Sequence, residues 1–261
     1  SGILPQYLIL LFKLPVLILH IIAEHNRLKN IIREHKIDIV ISDNRFGLWH
    51  KGIKTVYISH LHRIPFPGNL RWLEPVGIFI HRFFIKKYSM CFIPDVPGGI
   101  NVSGRLSHGL KLPSNTRFIG ILSRFSGMGE PDLREAMLTG KRIALILSGP
   151  EPQRRILKQK VINTFNDSDL HLIILEGKPE EDHKVAVSGN IFSYNHLPSP
   201  DFMKVLLESD YIISRSGYST IMELLSLNRS ALLIPTPGQT EQEYLASHLS
   251  EMGWFATVSQ K

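Results

Sequence analysis

The chain has 261 residues, 43% of them hydrophobic and 20% charged, a composition that fits one large or two smaller folded units and carries no sign of disorder. Thirty Lys and Arg against twenty-three Asp and Glu leave a net charge of +7, a mild basic excess suited to anionic ligands or an anionic bilayer surface. The single thiol, Cys91, excludes an internal disulfide framework and a cysteine zinc site and suits a reducing, cytoplasmic setting; no basic run or zinc-finger spacing points to nucleic acid.

Residues 3–22 are strongly apolar, but Lys13 interrupts them and Pro5 and Pro15 would break or kink a helix. A helix buried in the protein or lying on a bilayer is therefore expected there, in place of a membrane span, and no cleavable signal pattern is visible. Residues 16–34 have apolar positions at helical spacing. Short apolar runs at 37–42, 55–59, 90–94 and 117–120 read as strands. Residues 123–130 (SRFSGMGE) read as a linker, with two glycines and no periodicity. The pattern then restarts, with strands at 142–147, 170–175, 191–194, 211–214 and 231–234 and helices at 153–165, 202–209, 220–227 and 241–252. Strands that are continuous apolar runs, alternating with helices, imply parallel sheets covered on both faces. The reading is two α/β Rossmann-like domains, 1–124 and 125–261, with the first incomplete.

The stretch 210–223 (DYIISRSGYSTIME) carries the most chemistry. An apolar strand ends in Ser214, Arg215, Ser216 and Gly217, and a helix is expected to begin at Ser219 or Thr220. Free N–H groups at such a helix start form an anion site suited to a pyrophosphate, and Gly217 would permit close approach or a positive φ. Glu223, one turn on from Thr220, is placed to accept hydrogen bonds from a ribose diol. The competing structural reading is a capping box, Thr-x-x-Glu. The turn at Ser148 and Gly149 after the 142–147 strand, and the loop carrying Gln239, Gln242 and Glu243, should converge on the same rim. Their side chains suit sugar hydroxyls.

These motifs resemble glycosyltransferase family 28, which includes the bacterial N-acetylglucosaminyltransferase that completes the lipid-linked peptidoglycan precursor. Residues 143–258 are similar to the family's C-terminal domain through the Ser-Arg-Ser-Gly-x-x-Thr-x-x-Glu pattern at 214–223 and the proline-to-glutamine segment ending at Gln242. The resemblance implies the GT-B arrangement, two Rossmann-like domains facing across a cleft. It also implies a UDP-sugar donor without a further cofactor or metal, with the diphosphate at Ser219 and Thr220, the ribose at Glu223 and the sugar at Gln242. Glu243 stands where the family has a second glutamine. Residues 120–124 (GILSR) match an interdomain Gly-x-x-x-Arg whose arginine, Arg124, reaches the donor. The segments 41–47, 92–95 and 103–108 resemble a less-studied bacterial branch of these enzymes. The family's N-terminal glycine-rich, histidine-bearing loop is absent before residue 37, so the sequence is expected to begin inside the first domain and to stop short of the last helices.

Two rivals share the architecture. A hydrolysing UDP-sugar 2-epimerase would show Ser-Gly-Gly and paired glutamates, where this chain has Ser216-Gly217-Tyr218 and Met222-Glu223. A non-catalytic nucleotide-sugar-binding subunit is the other. His60 and Asp43, each after a strand, are candidates for the base that activates an acceptor hydroxyl, lipid-linked or saccharide. His60 and His62 lack a third metal ligand nearby, and residues 167–169 (DSD) read as a turn. Residues 69–88 interleave Trp72, Phe79, Phe83 and Phe84 with Arg71, Arg82, Lys86 and Lys87, which fits either a peripheral membrane patch at the inner face of the plasma membrane or a core helix with a basic edge.

Overall fold

The computed structural model describes residues 6–66, 68–129, 140–166, 168–178 and 184–260. Pro5, Glu130 and Asp167, which entered the readings above, lie outside the described residues. The chain divides into two compact units, Ser1–Ile121 and Leu122–Lys261.

In the first unit, α1 (Gln6–His35) runs through Pro15. Proline here removes one N–H bond without ending the helix, because the leucine- and isoleucine-rich turns on either side propagate it. No described helix is long and apolar enough to cross a membrane. Lys36, at φ 50°, closes α1, and the Ile37 N–H reaches back to the Ile32 carbonyl at 3.4 Å. Strands β1 (Ile39–Asp43), β2 (Lys54–Ile58), β3 (Met90–Ile93) and β4 (Thr116–Phe118) form a parallel sheet in that order. Between β2 and β3 a 3-10 turn leads into α2 (Glu74–Ile85). Tyr57, Ile85, Tyr88 and Cys91 make the buried cluster beneath the sheet, with Phe46 and Trp49 packed on it. The cysteine is a core residue, with burial pushing its thiol pKa up to about 12.

The second unit comprises β5 (Arg142–Ile146), α3 (Gln153–Phe165), β6 (His171–Leu175), β7 (Lys184–Ser188), β8 (Ile191–Tyr194), α4 (Ser199–Glu208), β9 (Tyr211–Ser214), α5 (Tyr218–Ser226), β10 (Leu232–Leu233), α6 (Thr240–Glu251) and β11 (Ala256–Thr257). The sheet order is β11-β10-β9-β5-β6-β8-β7, parallel except for β7 against β8. All but the first residues of β5 and β6 are buried, as expected for a sheet with helices on both faces. Leu145, Leu172 and Ile174 meet Leu157 and Val161 of α3 in the core. The α/β reading with parallel sheets holds in both units. Strands β7 and β11 were not anticipated: β7 is an antiparallel edge strand that follows a charged segment, and β11 is only two residues long.

The chain enters the sheet at β5, moves to β6 on one side, and returns to β9 on the other. That reversal is a topological switch point, and ligands of open α/β sheets bind at the carboxyl ends of the strands flanking it.

Candidate functional site

A pocket of about 240 Å³ opens at this place, lined by Arg124, Ile146, Glu176, Tyr194, Phe202, Thr220 and Glu223 among others. The carboxyl ends of β5, β6 and β8 and the first turns of α5 build its walls.

Helix α5 begins earlier than the sequence suggested. Its N-cap is Gly217, with no side-chain capping bond, and Thr220 lies inside the first turn. No capping box forms, because Glu223 pairs instead with Arg124. The guanidinium Nε lies 2.9 Å from Oε1 and Nη2 lies 3.4 Å from Oε2, a two-pronged contact. The same guanidinium stacks over Phe202 at 4.2 Å and Phe125 at 5.1 Å, which fixes its plane. Burial raises the Glu223 pKa, and Arg124 opposes that rise. Gly217 has φ −75°, so the positive φ considered for it is not used; a Cβ there would meet nothing within 4 Å, and the space before the helix is open. The first-turn N–H groups of α5 have no acceptor within the helix and face that space, an arrangement that attracts anions.

The other sequence candidates lie on neighbouring loops. Ser219 is exposed on the first turn of α5. Ser216 is fully buried, and its hydroxyl donates to the Gln242 carbonyl at 2.8 Å, so it holds α6 against the end of β9. Ser148 is half-buried, and Gly149, at φ 89°, turns the β5–α3 loop. Gln242 Oε1 accepts from the Thr236 N–H and Glu243 Oε1 from the Gly238 N–H, both at 2.9 Å. These two side chains brace their own loop, and Gln239 is the α6 N-cap without a capping bond.

Arg215, part of the quoted pattern but given no role from sequence, is fully buried. Its Nη1 donates to the Ile234 carbonyl at 3.0 Å and the Pro235 carbonyl at 3.3 Å, and Nη2 donates to the Gln153 carbonyl at 2.7 Å. Burial lowers its pKa to about 10. One side chain thus ties the loop after β10 and the start of α3 to the end of β9.

In the first unit, Asp43 is exposed at the end of β1 and His60 is half-buried after β2. His62 is buried, with its ring 5.2 Å from that of His81 and Nε2 3.9 Å from Cys91 Sγ. It is a core residue. The segments 92–95 and 103–108 meet: buried Asp95 accepts from the N–H groups of Val96, Val102 and Ser103 at 2.8, 3.0 and 2.8 Å. The Ser103 hydroxyl donates to it at 2.5 Å, and His108 Nε2 lies 3.2 Å away.

With this geometry in place, comparison with known proteins bears on the second unit. Residues 151–261 match the glycosyltransferase family 28 C-terminal domain. Along 89% of its length the chain is 24% identical to an uncharacterized glycosyltransferase of Methanosarcina acetivorans, spanning 63% of that protein. Along 88% of its length it is 24% identical to the UDP-N-acetylglucosamine–N-acetylmuramyl-(pentapeptide) pyrophosphoryl-undecaprenol N-acetylglucosamine transferase of Finegoldia magna, spanning 62% of it. The solved glycotransferase of kitacinnamycin superposes with a TM-score of 0.60 at 16% identity, covering 95% of this chain and 70% of that one, a likeness of fold. The pocket and all the loops around it, apart from Arg124 and residues 146–150, fall within the residues that match the family 28 domain.

Proposed function

We propose that this chain belongs to a hexosyltransferase that moves a sugar from a UDP-sugar to an acceptor hydroxyl, and that the pocket holds the donor nucleotide. The observation that carries the reading is the grouping of Thr220, Glu223 and Arg124 around one pocket beside the open N-terminus of α5. The helix N-terminus and Arg124 would neutralise the departing diphosphate, and the Glu223 carboxylate would accept from the ribose diol while keeping Arg124 in place. Ser148, Gly149, Gln239, Gln242 and Glu243 surround the same end of the sheet and would meet the diphosphate and sugar. His60 or Asp43, at the carboxyl ends of the first unit's strands, would take the acceptor proton.

Titration calorimetry with UDP, TDP and GDP tests the donor reading. Glu223→Ala should weaken UDP binding by about 1–3 kcal/mol, the range for hydrogen bonds to a charged group. A folded variant with the affinity of the wild type would remove Glu223 from the site.

The acceptor side of the proposal is a lipid-linked molecule at the inner face of the membrane. It is supported by α2 and the turn before it, where Trp72, Val76, Phe79 and Phe83 are 71%, 53%, 72% and 53% exposed. Their spacing of three and four residues puts them on one helical face. Arg71 and Lys86 are exposed beside them, and Lys87 lies over the Trp49 and Phe83 rings at 4.6 and 4.5 Å. Aromatic and basic groups together suit an anionic bilayer surface. The protein should co-sediment with phosphatidylserine vesicles and be released by salt, and reversing Lys86 and Lys87 to Glu should weaken the association. Equal sedimentation with neutral and anionic vesicles would remove the electrostatic part of this reading.

A further inference from the structure

The wall of the pocket on the β6 side carries a charged group that the donor reading leaves unused. Glu176 follows β6 directly, is only 6% exposed, and lines the pocket together with Gly177, Tyr194 at the end of β8 and residues 195–197 after it. Its Oε1 accepts from Lys158 Nζ of α3 and, at 2.8 Å, from the Ser193 hydroxyl of β8. Among the described residues no hydrogen bond engages Oε2, which is therefore the acceptor that this wall offers a ligand. Burial alone would raise the pKa of this carboxyl, but the Lys158 and Ser193 contacts outweigh it and bring the net shift below the ordinary value. Lys158 and Ser193 thus keep the group charged and fix its orientation.

The placement suits a nucleobase that carries a ring N–H. Strand β5 alone separates β9 from β6, so the carboxyl ends of β9 and β6 lie roughly 10 Å apart at ordinary strand spacing. A ribose diol at Glu223 would leave its base extending along the rim toward β6 and β8, where Glu176 stands.

We propose that Glu176 selects the nucleobase, its Oε2 accepting the ring N–H of uracil, thymine or guanine. The inference rests on the nucleotide reading of the pocket given above. Uracil and thymine carry hydrogen on N3 and guanine on N1. Cytosine and adenine present a lone pair at the corresponding ring nitrogen. An ionised carboxylate accepts and cannot donate, so a lone pair opposite it leaves two acceptors facing each other in a buried wall. Such a mismatch is penalised more heavily than a merely missing contact. An ion pair serving only to fasten α3 to β6 would be indifferent to the base.

Calorimetric competition on the full chain decides the matter, with UDP, TDP, GDP, CDP, ADP and N3-methyl-UDP as the ligands. The wild type should bind UDP and TDP, or GDP, at least about tenfold more tightly than CDP and ADP, the effect of one well-placed hydrogen bond. Preference for UDP and TDP over GDP would assign the pyrimidine imide, and the reverse would assign guanine. Glu176→Gln, whose amide can present either a donor or an acceptor, should bring the ratio of UDP to CDP affinity to within about threefold. N3-methyl-UDP tests the contact on the unaltered protein, and for a uracil site it should bind at least about tenfold more weakly than UDP. The proposal is overturned if CDP or ADP binds the wild type as tightly as the preferred nucleotide, if methylation of bound UDP costs nothing, or if Glu176→Gln binds nucleotides with unchanged preference. A folded wild type that binds none of the nucleotides would overturn the donor reading itself, and this inference with it.

Discussion

Replacing Arg215 with alanine is expected to destabilise the protein by about 3–5 kcal/mol, through three stranded carbonyls and the cavity left by a large buried side chain. The guanidinium satisfies the Ile234, Pro235 and Gln153 carbonyls, and no carboxylate partner shares its burial among the hydrogen bonds it makes. Its charge is tolerated because several carbonyl dipoles point at it, and its planar fork reaches two loops at once. Lysine offers a point charge without that fork, so Arg215→Lys should recover only part of the loss. Urea unfolding followed by far-UV circular dichroism reads the effect, with attention to the transition of the second unit. An alanine variant whose midpoint shifts by no more than the experimental scatter would show that the carbonyls find water. Because the loops after β9 and β10 frame the proposed donor site, UDP affinity should also fall under conditions where the variant remains folded.

Acidification should produce a loss of similar size, centred on the first unit. His62 and His81 are each 3% exposed, and burial lowers their pKa values to about 3 and about 4, with each other's proximity a further cause for His62. The unfolded chain binds these protons near the ordinary pKa of about 6.5, well before the folded chain does. Folded-state stability from keeping both rings neutral is therefore fully present above about pH 6.5 and drains away as the pH falls toward 4 and 3. Between pH 7 and pH 5 the two histidines together should cost roughly 3–4 kcal/mol. Chemical denaturation at the two pH values measures the loss, and His81→Phe isolates half of it. A variant that retains the full pH dependence of the wild type would assign the acid sensitivity to other groups.

Much of the fold could be read because both sheets are parallel and covered. After their first residues, Arg142 and His171, the runs RIALI and HLIIL of β5 and β6 are apolar without alternation, as suits strands buried on both faces. Where local sequence and tertiary contact disagreed, the contact prevailed. Thr220 and Glu223 have the spacing of a capping box, but the arginine at 124 takes the glutamate, and the helix starts two residues before Thr220. Pro15 looked like a helix boundary and is an interior residue. Arg124, Thr220 and Glu223, chosen from motif and resemblance, are brought to one pocket. Glu176 and residues 194–197 carried no local signal. They reach that pocket only because β6 and β8 are neighbours in the sheet, and strand order is a property of the whole chain. The Ser216 hydroxyl and Gln242 Oε1 also make hydrogen bonds within the domain, which spacing alone does not reveal.

The antiparallel pairing of β7 with β8 bears on how the second unit assembles. Gly189 and Asn190 are all that separates these two strands, whereas every parallel ladder of the unit joins strands separated by a crossover or a longer loop. A hairpin of this kind forms in about 1–10 μs, while parallel ladders must wait for long loops to close. The edge of the sheet farthest from the switch point is thus the part able to form first, and it offers β8 as a template on which β6 can dock. The ends of β5 and β6 and the start of α5 acquire their neighbours only afterwards, so the pocket they complete beside β8 is a late product of folding, and slow steps in reaching the native state should be felt there first.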